Sequence, residues 1–177
     1  VPDEAFVAIE GDERKVAGAL RRQNAKERAG DRWLYPGIVA ETAAGYETLA
    51  SAVASLVDLP DATAPDVHRK EQEYLRLTRS PEYLKTRLIA DAWCAAFVWV
   101  KGGKNPSPIT ADFFSRLQAK PQVVPGPVVA QISRLTEQYG FFHWHLAFPD
   151  VFQVPPEEGK TESQCGWSGG FDVVLGN

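Results

Sequence analysis

The sequence contains no methionine, two cysteines and three histidines in 177 residues, and each scarcity removes a class of protein. Cys94 lies in an apolar helical stretch and Cys165 in a glycine-containing loop, so neither a disulfide framework nor a cysteine metal cluster is implied. Long hydrophobic runs are missing too. The longest, Leu88 to Val100, is interrupted by Asp91 and falls short of the ~20 residues that a membrane span needs. No N-terminal succession of basic, apolar and small residues is present, which reads as a cytoplasmic protein with no membrane partner. Nor is there an excess of positive charge: 19 Lys and Arg against 23 Asp and Glu leave −4, whereas a chain that relies on non-specific phosphate contact is normally basic. Gly-rich phosphate loops and a serine in a nucleophile elbow are likewise absent.

What remains is an ordinary globular composition, 44% hydrophobic and 24% charged, which excludes collagen-like and disordered chains. The length suits roughly one domain, or one with appendages. A natural chain starts with Met, so the initial Val1 points to processing or to excision from something longer.

The first eleven residues read as an extended arm. A polar helix follows from Asp12 to Gly30, with acids in its first turn, Arg28 in its last and a thin apolar face of Val16, Ala19 and Leu20. Its six basic residues, Arg14, Lys15, Arg21, Arg22, Lys26 and Arg28, outnumber the acids Asp12, Glu13 and Glu27. Two readings stand side by side: a solvated mixed-charge face, or a phosphate contact in which Arg14, Arg21, Arg22 and Lys26 bind DNA.

After the break at residues 33–37 a long helix runs to about Leu59, with Val39, Tyr46 and Val53 seven apart and Leu49 and Leu56 between them, a coiled-coil-like seam. A second helix from Pro65 to Arg79 follows a short loop, which predicts an antiparallel hairpin. Ser80-Pro81-Glu82 opens a helix to about Lys101 that becomes apolar all round, so it reads as a central helix covered on every side, with Trp93 and Trp99 in the core and Cys94 an inert buried thiol. Gly102-Gly103 is a turn flanked by exposed Lys101 and Lys104. Thr110 caps a short helix, and another helix runs from Pro127 to the stop at Gly140.

The stretch 141–152 is dense in aromatics, which favours strand or extended structure. On a strand, His143 and His145 would point the same way, but no third ligand stands at a recognisable spacing, so a packed aromatic cluster is expected rather than a metal. His68 reads as a surface residue. Gln153 to Gly170 is a polar loop of a length that marks functional candidates. Residues 169–177 read as a turn followed by a short buried strand.

Three of these stretches, FFHWHLAFPDVF (141–152), the loop with Gly169-Gly170 and FDVVLGN (171–177), together resemble the segment leading into the catalytic motif of adenine-specific DNA methyltransferases of the type IIG restriction–modification class. Residues 1–30 and LIADAWCAAFVW (88–99) are similar to the helical region ahead of that motif, so the resemblance spans most of the chain. In that family the sequence continues Asn-Pro-Pro-Tyr or Asn-Pro-Pro-Trp, and here it stops at the Asn. The resemblance implies an enzyme that flips an adenine out of the duplex and methylates its amine from S-adenosylmethionine, with Asn177 the matching hydrogen-bond acceptor. The proline carbonyl, the stacking aromatic and the Gly-rich cofactor motif are not in this chain. It therefore implies an inactive fragment with no bound cofactor, reaching double-stranded DNA through its parent protein.

The expected fold is mainly α: a helical bundle with an antiparallel helix hairpin and a few short strands near the C-terminus. Residues 1–140 would form a helical insertion or spacer domain, and 141–177 the segment entering a Rossmann-like methyltransferase sheet. The alternative is a stand-alone helical interaction or oligomerisation module, self-associating through the seam or other exposed apolar surface.

Overall fold

The computed structural model describes residues 1–30, 36–103, 105–152 and 169–175, with the backbone alone for 36–44 and Val123. Among these residues the protein is mainly helical, with seven α-helices and no strand: α1 (Arg14–Gly30), α2 (Pro36–Val57), α3 (Ala64–Thr78), α4 (Pro81–Val98), α5 (Ala111–Ala119), α6 (Gly126–Tyr139) and α7 (Trp144–Ala147). The chain divides into two compact units, Val1–Ala40 with Arg87–Phe142, and Glu41–Thr86 with His143–Asn177.

The first unit is built on α4, α5 and α6. Ala92, Ala95, Ala96 and Trp99 follow helical spacing and are buried with Phe114 and Leu117 of α5 and Ile132 and Leu135 of α6. Burying a side chain such as Leu117 or Ile132 contributes about 1.5–3 kcal/mol. The Trp99 indole N–H donates to the Pro106 carbonyl at 3.0 Å, which removes the cost of burying that group. Only one face of α4 enters this core. Trp93 stays 40% exposed and Phe97 lies beside it, so the all-round covering expected for α4 is not realised and Cys94 is half-buried. An unbroken apolar run hides which face points inward.

The N-terminal arm is not extended. Asp3–Phe6 forms a 3-10 turn that drives Ala5 and Phe6 into the same core. At the other end, α6 stops at Gly140, whose φ of 62° is the left-handed cap that glycine adopts without strain.

In the second unit, α3 opens on a capping box in which the Thr63 side chain accepts from Asp66 N–H and Asp66 accepts in return. Lys70 reaches from α3 to the carbonyls of Val57 and Leu59 at 3.1 and 3.3 Å, satisfying the end of α2. One groove is lined by Ala52, Ser55 and Leu56 of α2 and by Arg69, Glu73, Arg76 and Leu77 of α3, so the two helices lie side by side. Ser80 caps α4 by accepting from Tyr83 N–H at 3.2 Å.

The stretch 141–152 departs from its expected extended form. His143 is the N-cap of α7, and the N–H groups of Ala147 and Phe148 bond to His143 and Trp144 carbonyls. With no strand among the described residues to pair with, the backbone satisfies itself locally. The short C-terminal strands are likewise not seen among the described residues, and Val173, Val174 and Leu175 are 71%, 72% and 92% exposed rather than buried.

Candidate functional site

The basic helix α1 is anchored by its acids. Asp12, just ahead of the helix, accepts from Lys101 N–H at 2.7 Å, from its ammonium at 3.3 Å and from Ile9 N–H at 3.0 Å. Burial raises the Asp12 carboxyl, but the donors outweigh it and hold the group below the usual carboxylate range. Lys101 is thus not an exposed flank: its side chain has 0% exposure, with the Trp99 carbonyl as a second acceptor. A charged ammonium is tolerable there because both acceptors face it. Lys104 lies outside the described residues.

Glu13 accepts from Gly103 N–H at 2.8 Å, where Gly102 and Gly103 take φ of 116° and 66° as the turn requires. Glu27 accepts from Asp112 N–H at 3.0 Å. Burial raises its carboxyl, and the Asp112 N–H, Thr110 and Gln23 together pull it below its ordinary value. Asn24, fully buried, accepts from Ala111 N–H at 2.8 Å and donates to the Val1 carbonyl and the Asp3 carboxylate. The N-terminus of α5 is therefore capped by Asn24 and Glu27 of α1. Thr110 makes no side-chain cap of its own. A polar residue on a buried line, Asn24 seven after Ala17, was the available signal for this keystone.

Asp12 and Glu27 are partly buried and Glu13, though exposed, is engaged by the Gly103 N–H, so the exposed surface of α1 carries Arg14, Arg21, Arg22 and Lys26, together with Lys15. Helical spacing divides them. Lys15, Arg22 and Lys26 share the face opposite Ala17 and Asn24, whereas Arg14, Arg21 and Arg28 form a line along the flank. Arg28 pairs with Asp3 at 3.2 Å. The Asn24 hydrogen bond, then Arg28 and Arg21, lower the Asp3 carboxyl against a smaller opposing effect of burial.

The second candidate site joins the two stretches on either side of residues 153–168. Phe171 packs edge-on against Trp144, Phe148 and Phe152, with ring centroids 5.8, 5.2 and 5.5 Å apart. Gly169 makes this possible: its φ is 88°, and a side chain there would collide with the Val151 carbonyl. Next to this junction, the His143 and His145 rings are 5.9 Å apart and His145 lies 5.7 Å from Tyr46. Burial, helped by the neighbouring His143, pushes His145 down to about 4, so it is neutral near pH 7. Burial also pushes the Tyr46 hydroxyl up. Among the described residues no group of three or more His, Cys, Asp or Glu could hold a metal ion. His68 is exposed beside Glu71 at 3.3 Å.

Asn177 and Cys165 lie outside the described residues, as does the side chain of Val39 in the seam. Tyr46 and Leu49 of the seam are buried, and Val53 and Leu56 half-buried. Open cavities line α2, among them one of about 410 Å³ against Arg69, Glu73 and Arg76, and one of about 560 Å³ against Pro149 and Asp150. An adenosyl cofactor in a doubly wound fold sits on a Gly-rich turn at a strand end. Without a strand, the described residues do not fit such a group.

No helix among the described residues is long and apolar enough to cross a membrane. No protein-family model, curated protein or solved structure matches this chain.

Proposed function

We propose that this chain is part of an S-adenosylmethionine-dependent, adenine-specific DNA methyltransferase of a restriction–modification or phage-defence system, inactive by itself. The observation that carries the reading is the meeting of residues 144–152 with 169–175 through Phe171. These are the two stretches whose combination resembles the approach to the family's catalytic motif, and they are drawn together around one aromatic ring although residues 153–168 separate them in sequence.

In this reading the exposed Val173, Val174 and Leu175 become a strand of a Rossmann-like sheet supplied by other parts of the protein. That strand would deliver Asn177, whose side-chain oxygen accepts a hydrogen bond from the amine of a flipped adenine. S-adenosylmethionine would supply the methyl group, and its contacts belong to parts of the protein other than the described residues.

The test is to read the source gene on both sides of this sequence and assay its full product. Pro-Pro and an aromatic after Asn177, with labelled methyl groups transferred to adenine in duplex DNA and abolished in Asn177→Ala, is the expected result. A stop codon after Asn177, or a full product that transfers no methyl group, would overturn it.

A further inference from the structure

We infer that the outward face of α1, carried by Lys15, Arg22 and Lys26, is a contact surface for the phosphate backbone of duplex DNA. The inference takes its choice of polyanion from the methyltransferase reading. Its geometry is independent of that reading.

The chain as a whole is acidic at −4, so a face free of carboxylates has to arise from arrangement. Each acid belonging to the α1 segment is withdrawn from that face: Asp12 onto Lys101, Glu13 onto the Gly103 N–H, Glu27 onto the Asp112 N–H. Two of the three flank residues are engaged intramolecularly, with Arg28 paired to Asp3 and Arg21 close enough to help lower the same carboxyl. Lys15, Arg22 and Lys26 remain, all exposed, on the face opposite buried Ala17 and Asn24. The four residues singled out by charge alone thus separate: Arg22 and Lys26 belong to the contact face, joined by Lys15, while Arg14 and Arg21 stand on the flank.

Beside the cations, on the same side of the helix, lie Gly18, Ala19, Ala25 and Ala29. A helix that lies in a lipid surface needs Trp, Phe or Leu on or beside its basic face to enter the acyl boundary, and this face has none. Small residues instead let the helix axis approach a rigid backbone while the long Lys and Arg side chains reach the phosphates. At about 1.5 Å per residue, Arg22 and Lys26 stand about 6 Å apart along the axis and Lys15 about 10 Å further back, a spread of charge along one strand rather than a single anion pocket.

The test uses the whole 177-residue chain and a fluorescein-labelled random-sequence duplex, with anisotropy followed over a salt series. A triple variant, Lys15→Gln, Arg22→Gln and Lys26→Gln, is compared with an equal charge change at exposed Arg69, Arg79 and Lys120. Glutamine keeps helix propensity close to that of Lys and Arg, so unchanged circular dichroism is expected for both. The α1 variant should bind more weakly, with the slope of log affinity against log salt reduced by about 0.9 for each phosphate no longer neutralised, and the control should match the parent chain. Absence of duplex binding by the parent chain at low salt, or equal weakening in both variants, would overturn the inference. So would an α1-dependent affinity greater for phosphatidylserine vesicles than for the duplex. A failed methyl-transfer assay with intact duplex binding would count against the methyltransferase reading alone.

Discussion

The ammonium of Lys101 lies 3.3 Å from the carboxylate of Asp12, with neither side chain exposed, and the same carboxylate holds the Lys101 backbone N–H at 2.7 Å. This pair ties the start of α1 to the chain just beyond α4. Its two members are not equivalent. Asp12 also accepts from Ile9 N–H, so its removal takes the acceptor from two backbone N–H groups and leaves the buried ammonium with the Trp99 carbonyl alone, whereas loss of the ammonium leaves the carboxylate with two backbone partners.

Asp12→Ala should therefore destabilise the protein more than Lys101→Met does. Breaking a buried ion pair from one side costs about 3–5 kcal/mol, and that range is expected for Asp12→Ala. Lys101→Met should cost about 1–3 kcal/mol, the scale of a buried group that loses one of its partners. Urea unfolding of both variants gives the order directly. Equal destabilisation, or a larger effect for Lys101→Met, would show that the ammonium rather than the backbone donors dominates the site.

Local signals made most helices legible in the sequence. Ser80-Pro81, the Gly140 stop and the Lys70-bearing hairpin are all set by chemistry within a turn or a short loop. Lys101 was not legible, and Asn24 showed only as a polar residue on the buried line of Ala17, because the partners of both stand far along the chain. The basic character of α1 was visible in its composition. Its division into an outward face and a flank depends on where Asp12, Glu13 and Glu27 find donors, which is a tertiary fact. Aromatic residues misled in 141–152, since their preference for strands holds only when a neighbouring strand exists to pair with.

His145 gives the second unit a pH dependence. Its folded value of about 4 lies below its ordinary 6.5, so the fold favours the neutral ring. Between those values the unfolded chain binds more protons, and stability rises with pH. The contribution is complete above about pH 6.5 and is lost as pH falls toward 4. Asp3, Asp12 and Glu27, all lowered, lose their contributions only as pH falls below their ordinary values of 3.8 and 4.5, so the interval from about pH 6.5 to pH 5 separates the histidine from these carboxylates. Urea midpoints across that interval should fall for the unmodified protein and stay nearly flat for His145→Gln. Parallel curves would place the titrating group elsewhere.

Gly169 and Gly170 are neighbours in sequence with opposite constraints. At Gly169 the backbone has φ of 88° and a side chain would meet the Val151 carbonyl, while a side chain at Gly170 meets nothing within 4 Å. Gly169→Ala should therefore lift the segment 169–175 away from Val151 and withdraw Phe171 from Trp144, Phe148 and Phe152. Each such aromatic pair contributes about 0.5–1.5 kcal/mol, so the expected cost is about 2 kcal/mol, with Phe171→Ala close behind. Gly170→Ala should change stability by no more than about 0.5 kcal/mol. The local readout is hydrogen exchange at the N–H groups of Val151 and Phe152, both bonded to the Phe148 carbonyl at 3.1 Å. Exchange there should quicken in Gly169→Ala and Phe171→Ala and stay unchanged in Gly170→Ala. Because the same aromatic packing carries the methyltransferase reading, indifference of exchange to all three substitutions would remove the link between the two stretches on which that reading depends.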